Sequence, residues 1–255
     1  VLASSVFGDL VAAGQQAVIG CDARLLPLFS RSFPALRFVP QDGTELAAVA
    51  AAPAECRKLL LSDLPGRFRR QAADFPTRRS WLRADSERSQ ALRADYRERF
   101  GTRLRIGLAW ASHRAFLGGS KSLPLRALAP LLANPRHACI NLQHGPAGDD
   151  LAALGPLAAQ LYRDPQVDAL HDIDGLCAQL AALDQVVTCS NSTAHLAAAL
   201  GVPTTVLLPH AWPVLWYWGY RGERTPWYPA VQLQRCGPDN DWSVPVQRVA
   251  ATLRP

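Results

Sequence analysis

The chain has 255 residues, 49% apolar and 19% charged, with 27 basic against 21 acidic side chains and a net charge of +6. That composition excludes a disordered polymer and supplies a core for one large domain or two of ordinary size. The positive balance admits an acidic partner such as a phosphorylated ligand, and no apolar run reaches the length of a membrane span.

In chain order, VLASSVFGDLVAAG reads as an amphipathic helix stopped by Gly14; it lacks a basic leader and is broken by Asp9, so it fits a signal peptide poorly. QAVIGCD is a short buried strand, ARLLPLFSRSF a helix ended by Pro34, and LRFVP a second strand. TELAAVAAAP is a helix with Thr44 at its start, and Arg57 to Leu61 reads as a further strand. Alternating short strands and helices indicate an α/β layer architecture with a parallel sheet. From about Pro65 to Phe100 the pattern turns helical. Twelve arginines between Arg67 and Arg105 are mixed with Asp74, Asp85, Glu87, Asp95 and Glu98. Mixed signs at helical spacing describe a solvated, salt-bridged helix rather than a nucleic-acid groove, and no RNA-binding motif is present.

A second series then begins. RLRIGLAW (103–110) is a strand, followed by the polar loop SHRAFLGGSKS; LPLRALAPLL is a helix, HACINLQ (137–143) a strand, and GDDLAALGPLAAQL mostly helix. VDAL reads as a strand end and HDIDGLCAQLAAL as a helix. The stretch from Leu183 to Pro209 reads as a βαβ unit: Val186 and Val187 in a strand, a small polar loop of Thr188, Cys189, Ser190, Asn191, Ser192 and Thr193, the Ala/Leu helix AHLAAAL stopped by Gly201, then the strand TTVLLP. VQLQRC (231–236) is a last strand and DWSVPVQRVAATL a last helix. Cysteines 21, 56, 139, 177, 189 and 236 show neither a CxxC pair nor metal-ligand spacing, as expected of reduced thiols in a cytoplasmic protein. The chain has no methionine, which reads as a segment of a longer protein.

Ligands of open α/β sheets bind at the carboxyl ends of strands, against the amides and positive dipole end of the next helix. The Ser190–Thr193 loop has that placement. So does the loop carrying Gly118, Gly119, Ser120, Lys121 and Ser122, where adjacent glycines admit an oxyanion to backbone N–H groups and lysine neutralises it. The spacing is not that of a Walker loop. Gln143, His144 and Gly145 close one strand, while Asp172 and Asp174 read as helix caps or ribose contacts. His195 falls one turn into the helix after the βαβ loop. Trp212, Trp216, Trp218, Trp227 and Tyr228 either stack on a base or sugar or clamp the C-terminal segment in place.

The ordered pattern RIGLAW, GGSKSLPL, INLQHG, LDQVVTCSNSTAHLAAALGVPTTVLLP, TPWYP, with CDARLLPLFSRSFP in the first half, covers nearly the whole chain. It resembles the glycosyltransferase-like domain at the C-terminus of many bacterial tetratricopeptide-repeat proteins, a relative of the ADP-heptose:lipopolysaccharide heptosyltransferases. The resemblance implies an α/β fold of GT-B type, two Rossmann-like domains with parallel sheets facing a cleft. These would be an incomplete acceptor-side domain over 1–84, a helical linker over 85–100, a nucleotide-sugar-binding domain over 101–240 and a terminal helix over 241–255. It implies a metal-independent inverting transferase with a nucleotide-sugar as substrate, no cofactor, and a protein or glycan acceptor. Lys121, Ser122, Gly119, Ser192 and Thr193 would meet the diphosphate, with His195 in the same constellation and Gln143 near the base or ribose. Two departures stand out. Ser190 and Asn191 occupy the places of an Asp-Thr pair in heptosyltransferases, and the acceptor-side Gly-rich turn would precede Val1. Asp22, after the first strand and beside Arg24, is then the cleft-facing candidate for a general base, and His195 is the second catalytic candidate. The alternative is a non-catalytic domain that binds a nucleotide-sugar or a protein.

Overall fold

A computed structural model describes residues 1–51, 57–113, 116–210 and 213–253, with the backbone alone for 48–50. Cys56 and Trp212 lie outside the described residues.

Two parallel sheets organise the chain. In the first, β1 (Val18–Cys21) pairs with β2 (Arg37–Pro40), Val18 opposite Arg37 and Cys21 opposite Pro40. Around it lie α1 (Phe7–Ala12), α2 (Leu26–Ser32) and α3 (Thr44–Ala50). Phe7 of α1 meets Phe33 at 5.3 Å and Phe38 of β2 at 5.8 Å between ring centroids, an aromatic knot that gives this small unit its packing.

The second sheet contains β3 (Leu104–Ala109), β4 (His137–Asn141), β5 (Leu161–Tyr162), β6 (Gln185–Cys189), β7 (Thr204–Leu208) and β8 (Val231–Arg235). Its six strands are all parallel, in the order β5-β4-β3-β6-β7-β8. Counted from its own first strand this is the doubly wound order, and the winding reverses between β3 and β6. Alternate residues feed opposite cores. Ile106, Leu108 and Val187 pack with Leu131 and Val246 on one side, while Ile140, Val186 and Val206 pack with Leu92, Leu176 and Leu196 on the other. Burial on both faces explains why β6 and β7 read as unbroken runs of small, β-branched and apolar residues. Helices α4 (Pro65–Phe68), α5 (Ser86–Phe100), α6 (Gly118–Lys121), α7 (Ala129–Leu132), α8 (Gly148–Leu154), α9 (Ile173–Ala181), α10 (Ser192–Leu200) and α11 (Ser243–Thr252) complete the layers. Gly201 ends α10 in the left-handed region, φ +79°, as a helix-stop glycine does.

Three expectations are corrected. Arg57–Leu61 forms no strand: Leu59, Leu60 and Leu61 are exposed and no ladder takes the segment up. Val167–Leu170 is a turn, because Asp168 Oδ1 accepts the amides of Leu170 (2.9 Å) and His171 (3.0 Å) and so competes with a ladder. The strand beside β4 is instead Leu161–Tyr162. Within Pro65–Phe100, only α5 is a long helix, and the segment before it, past α4 and a helical turn at Ala72–Asp74, is irregular, with the Trp81 and Leu82 amides both donating to the Ala199 carbonyl. Two arginines of α5 also reach outward to its neighbour α9. Arg88 pairs with Asp172 at 2.6 Å and Arg93 donates to the Ala181 carbonyl.

Candidate functional site

The carboxyl ends of β3 and β6 lie side by side at the point where the winding reverses, with Ala109 opposite Thr188. The loops that leave these two strands are the two singled out in the sequence. After β3 the chain closes a loop from Trp110 to Leu123, whose amide returns to the Trp110 carbonyl at 3.0 Å. Ser122 pins it: its Oγ accepts the Ser112 amide at 2.9 Å and donates to the Gly118 carbonyl at 2.8 Å. Gly118 sits so close to the Ser112 carbonyl that a Cβ would collide with it, whereas Gly119 faces open space. Lys121 ends α6 and is 3% exposed. Its charge is felt by Cys189 at the end of β6 and by His195 in α10.

After β6, Ser190 and Asn191 turn the chain into α10. Asn191 caps the helix: its Oδ1 accepts the Ala194 amide (3.1 Å) and the Thr188 hydroxyl (3.1 Å), and its Nδ2 donates to the Ala111 carbonyl (3.3 Å). One side chain thus caps α10 and joins the two loops. Ser190 Oγ accepts Trp218 Nε1–H at 2.9 Å. The amides of Ser192 and Thr193 have no partner within the helix. Ser192 is exposed, while the Thr193 hydroxyl is buried without a hydrogen-bond partner. The loop that ends in buried Lys121 and the loop that opens α10 are thus held side by side, with the helix's free amides and positive dipole end on the second.

His195 lies one turn further in, behind that edge. Its ring stacks on Trp218 (5.1 Å, 19°) and its Nδ1 is 2.7 Å from the Tyr228 hydroxyl. Burial above all pushes its pKa down to about 3, with nearby positive charge including Lys121 adding to the effect, so the imidazole is neutral at pH 7. Burial also raises the Tyr228 hydroxyl well above its ordinary value, so the phenol keeps its proton. Trp218 and Tyr228 act as packing: Tyr228 stacks on Trp81 of the connector (5.4 Å, 20°), and Trp227 meets Phe75 edge-on at 4.8 Å. Trp216 stays 57% exposed.

The acceptor-side candidate lies in the small unit. Asp22, after β1, caps the turn at Ala23–Leu25 and pairs with Arg24 through both oxygens, at 3.0 and 2.7 Å. The Arg24 guanidinium holds its pKa down at about 2. Arg24 also donates to the Leu170 carbonyl at 2.7 Å, and its charge helps lower the pKa of His144, which burial and His113 also depress. Both carboxylate oxygens of Asp22 are therefore already engaged. Gln143 is likewise engaged: its Oε1 accepts the Trp110 (3.0 Å) and Ala111 (2.8 Å) amides, and its Nε2 meets the His144 carbonyl and His113 Nε2. It shapes the start of the β3 loop. Asp172 caps α9 through the Gly175 amide at 2.7 Å, and Asp174 takes Arg31 in a two-point pair. Sequence reasoning missed His113, whose only sign was its place just past the end of β3. Among the described residues no group of three or more His, Cys, Asp or Glu side chains is arranged to hold a metal ion, and no helix is long and apolar enough to cross a membrane.

No family model matches the chain. It is 29% identical over 247 residues to Protein FlbA of Caulobacter vibrioides, across 92% of this chain and 40% of that protein. The chain thus spans about two fifths of the length of the curated relative it matches. Among solved structures it is similar to E. coli ADP-heptose lps heptosyltransferase II, with a TM-score of 0.63 at 17% identity over 98% of this chain and 92% of that one. It is also similar to E. coli heptosyltransferase WaaC with ADP-2-deoxy-2-fluoro heptose, with a TM-score of 0.51 at 12% identity over 98% of this chain and 94% of that one. At these identities the likeness is one of fold: the chain has the α/β, GT-B-like architecture of the heptosyltransferases.

Proposed function

We propose that the chain is a glycosyltransferase domain that moves a sugar, with inversion and without a metal, from a nucleotide-sugar to a hydroxyl of a protein or glycan acceptor. The observation that carries the reading is the joining of two loops by Asn191 at the reversal point of a doubly wound sheet, one ending in buried Lys121 and the other opening α10. In such a transfer the acceptor oxygen bonds to the anomeric carbon while the bond from that carbon to the diphosphate breaks. Lys121, the Ser192 and Thr193 amides and the Thr193 hydroxyl would take up the charge that accumulates on the departing diphosphate. The resemblance in sequence also supports a cytoplasmic, longer bacterial protein with an N-terminal tetratricopeptide-repeat region.

A second reading, binding without turnover, is favoured by one feature. Asp22 is locked to Arg24 with a pKa of about 2, so it is a weak acceptor for the proton of an incoming hydroxyl. Titration and hydrolysis assays with UDP-, GDP- and ADP-sugars separate the two readings. Lys121→Ala should weaken binding of the preferred nucleotide-sugar about 100-fold, as expected for a charge-assisted contact to phosphate. Unchanged binding in that variant, or no nucleotide-sugar binding at all, would remove the donor-site reading.

A further inference from the structure

The cleft lies at the carboxyl ends of β3 and β6. At the β5 edge of the sheet, near where α5 leads into β3, a cavity of about 430 Å³ opens. Its wall carries three arginines from three places: Arg99 in the last turn of α5, Arg103 just before β3, and Arg163 just after β5. None of them forms an ion pair with a carboxylate among the described residues. Arg99 lies 4.7 Å over the Tyr162 ring and Arg103 lies 5.2 Å over the Phe100 ring, with its Nε donating to the Phe100 carbonyl at 3.2 Å. A guanidinium stacked on a ring keeps edge N–H groups available and has already lost part of its freedom, so it gives up less on taking an oxyanion.

The ordinary role of basic residues at a helix C-terminus, complementing the dipole, accounts for Arg99. It does not account for Arg163, which arrives from a strand. The acids in the neighbourhood are otherwise committed. Asp164 accepts the Tyr96 hydroxyl at 2.7 Å and the Gln166 amide at 2.9 Å, and Asp95 faces the Gln166 side chain. The edge strand itself disfavours an added polypeptide strand, since β5 has only two residues and is followed by Arg163 and Pro165. The volume is that of a small-ligand site. We propose that this cavity is a second anion site, separate from the cleft, and that it takes a small phosphorylated molecule between Arg99, Arg103 and Arg163.

Pyrophosphate is the probe, titrated calorimetrically into Lys121→Ala protein so that the cleft lacks its cation. It should bind one-to-one, and adding Arg163→Ala or Arg103→Ala should each weaken it about tenfold or more, as loss of a charge-assisted contact does. In the same titration followed by NMR, the Tyr162 and Arg163 amides should shift while that of Thr193 stays in place. The NMR arm needs no arginine variant, so it decides the question even where such a variant fails to fold. The proposal is overturned if Lys121→Ala protein neither releases heat nor shows a shift at Tyr162, or if binding survives both arginine substitutions unchanged.

Discussion

His195 shows how far a single side chain can depart from what its sequence position suggests. One turn past an anion-binding loop it reads as a ligand contact, yet the ring is stacked on Trp218 and bonded to Tyr228, and its pKa is pushed from 6.5 to about 3. The sign of the linkage follows. Between those two values the unfolded chain binds a proton that the folded chain refuses, so folding stability is lost as pH falls from about 6.5 toward 3. The slope should approach about 1.4 kcal/mol per pH unit. His195→Gln removes the titration. The difference in unfolding free energy between the two proteins, from urea melts at a series of pH values, should be flat above about pH 7.5 and should narrow steadily below 6.5. A difference that stays constant down to pH 4.5 would mean that the imidazole ionises in place without penalty. The partners that cause this shift lie 23 and 33 positions away in sequence, at Trp218 and Tyr228, and nothing in the local pattern announces them.

At the scale of elements, what could be read was what each segment encodes in itself. The β6–α10–β7 unit carries its own signals: β-branched residues in β6, Asn191 at the cap, Gly201 in the left-handed region, and a second run buried on both faces. Strands fail to be legible where a ladder partner is required but absent, as at Arg57–Leu61, or where a side chain claims the amides first, as Asp168 does. The loop between β3 and α7 was legible as glycine-rich but not as two glycines with different duties. A Cβ at Gly118 would strike the Ser112 carbonyl, while one at Gly119 would meet nothing within 4 Å. Gly118→Ala should therefore cost about 1–3 kcal/mol of stability and weaken nucleotide-sugar binding with it, because the backbone must move to admit the methyl group. Gly119→Ala should melt like the wild type and act on affinity alone, by crowding the ligand. Paired denaturant melts and titrations check this, and equal stability losses in the two variants would contradict the division.

For the whole molecule, the sequence showed two series of alternating elements but not how they are fastened together. The fastening is long-range and partly polar. Arg31 of α2 grips Asp174 of α9, and Arg69 of the connector, 3% exposed at its side chain, pairs with Asp9 of α1 at 2.7 Å. One apolar cluster runs from Val6, Phe7 and Leu28 through Leu82 and Leu92 to Leu176, Leu196 and Trp218, so the two sheets share a core. Trp81 sits at the centre of this junction. Its Nε1 donates to Ser4 Oγ at 2.9 Å, its amide donates to the end of α10, and its ring stacks on Tyr228, the partner of His195. Because these contacts tie the first residues, the connector and the last aromatic loop together, unfolding should be a single transition in calorimetry. Trp81→Ala should cost about 3–5 kcal/mol and broaden or split that transition, since it leaves a cavity, takes from Ser4 Oγ the N–H it accepts and uncouples the small unit from the large sheet. Trp216→Ala is the control: at 57% exposure it should change stability by no more than about 0.5 kcal/mol. If Trp81→Ala keeps one sharp transition and loses no more than Trp216→Ala does, the junction is held by the rest of the shared apolar cluster and the ion pairs rather than by Trp81. The aromatic cluster would then be free to serve a ligand rather than the fold.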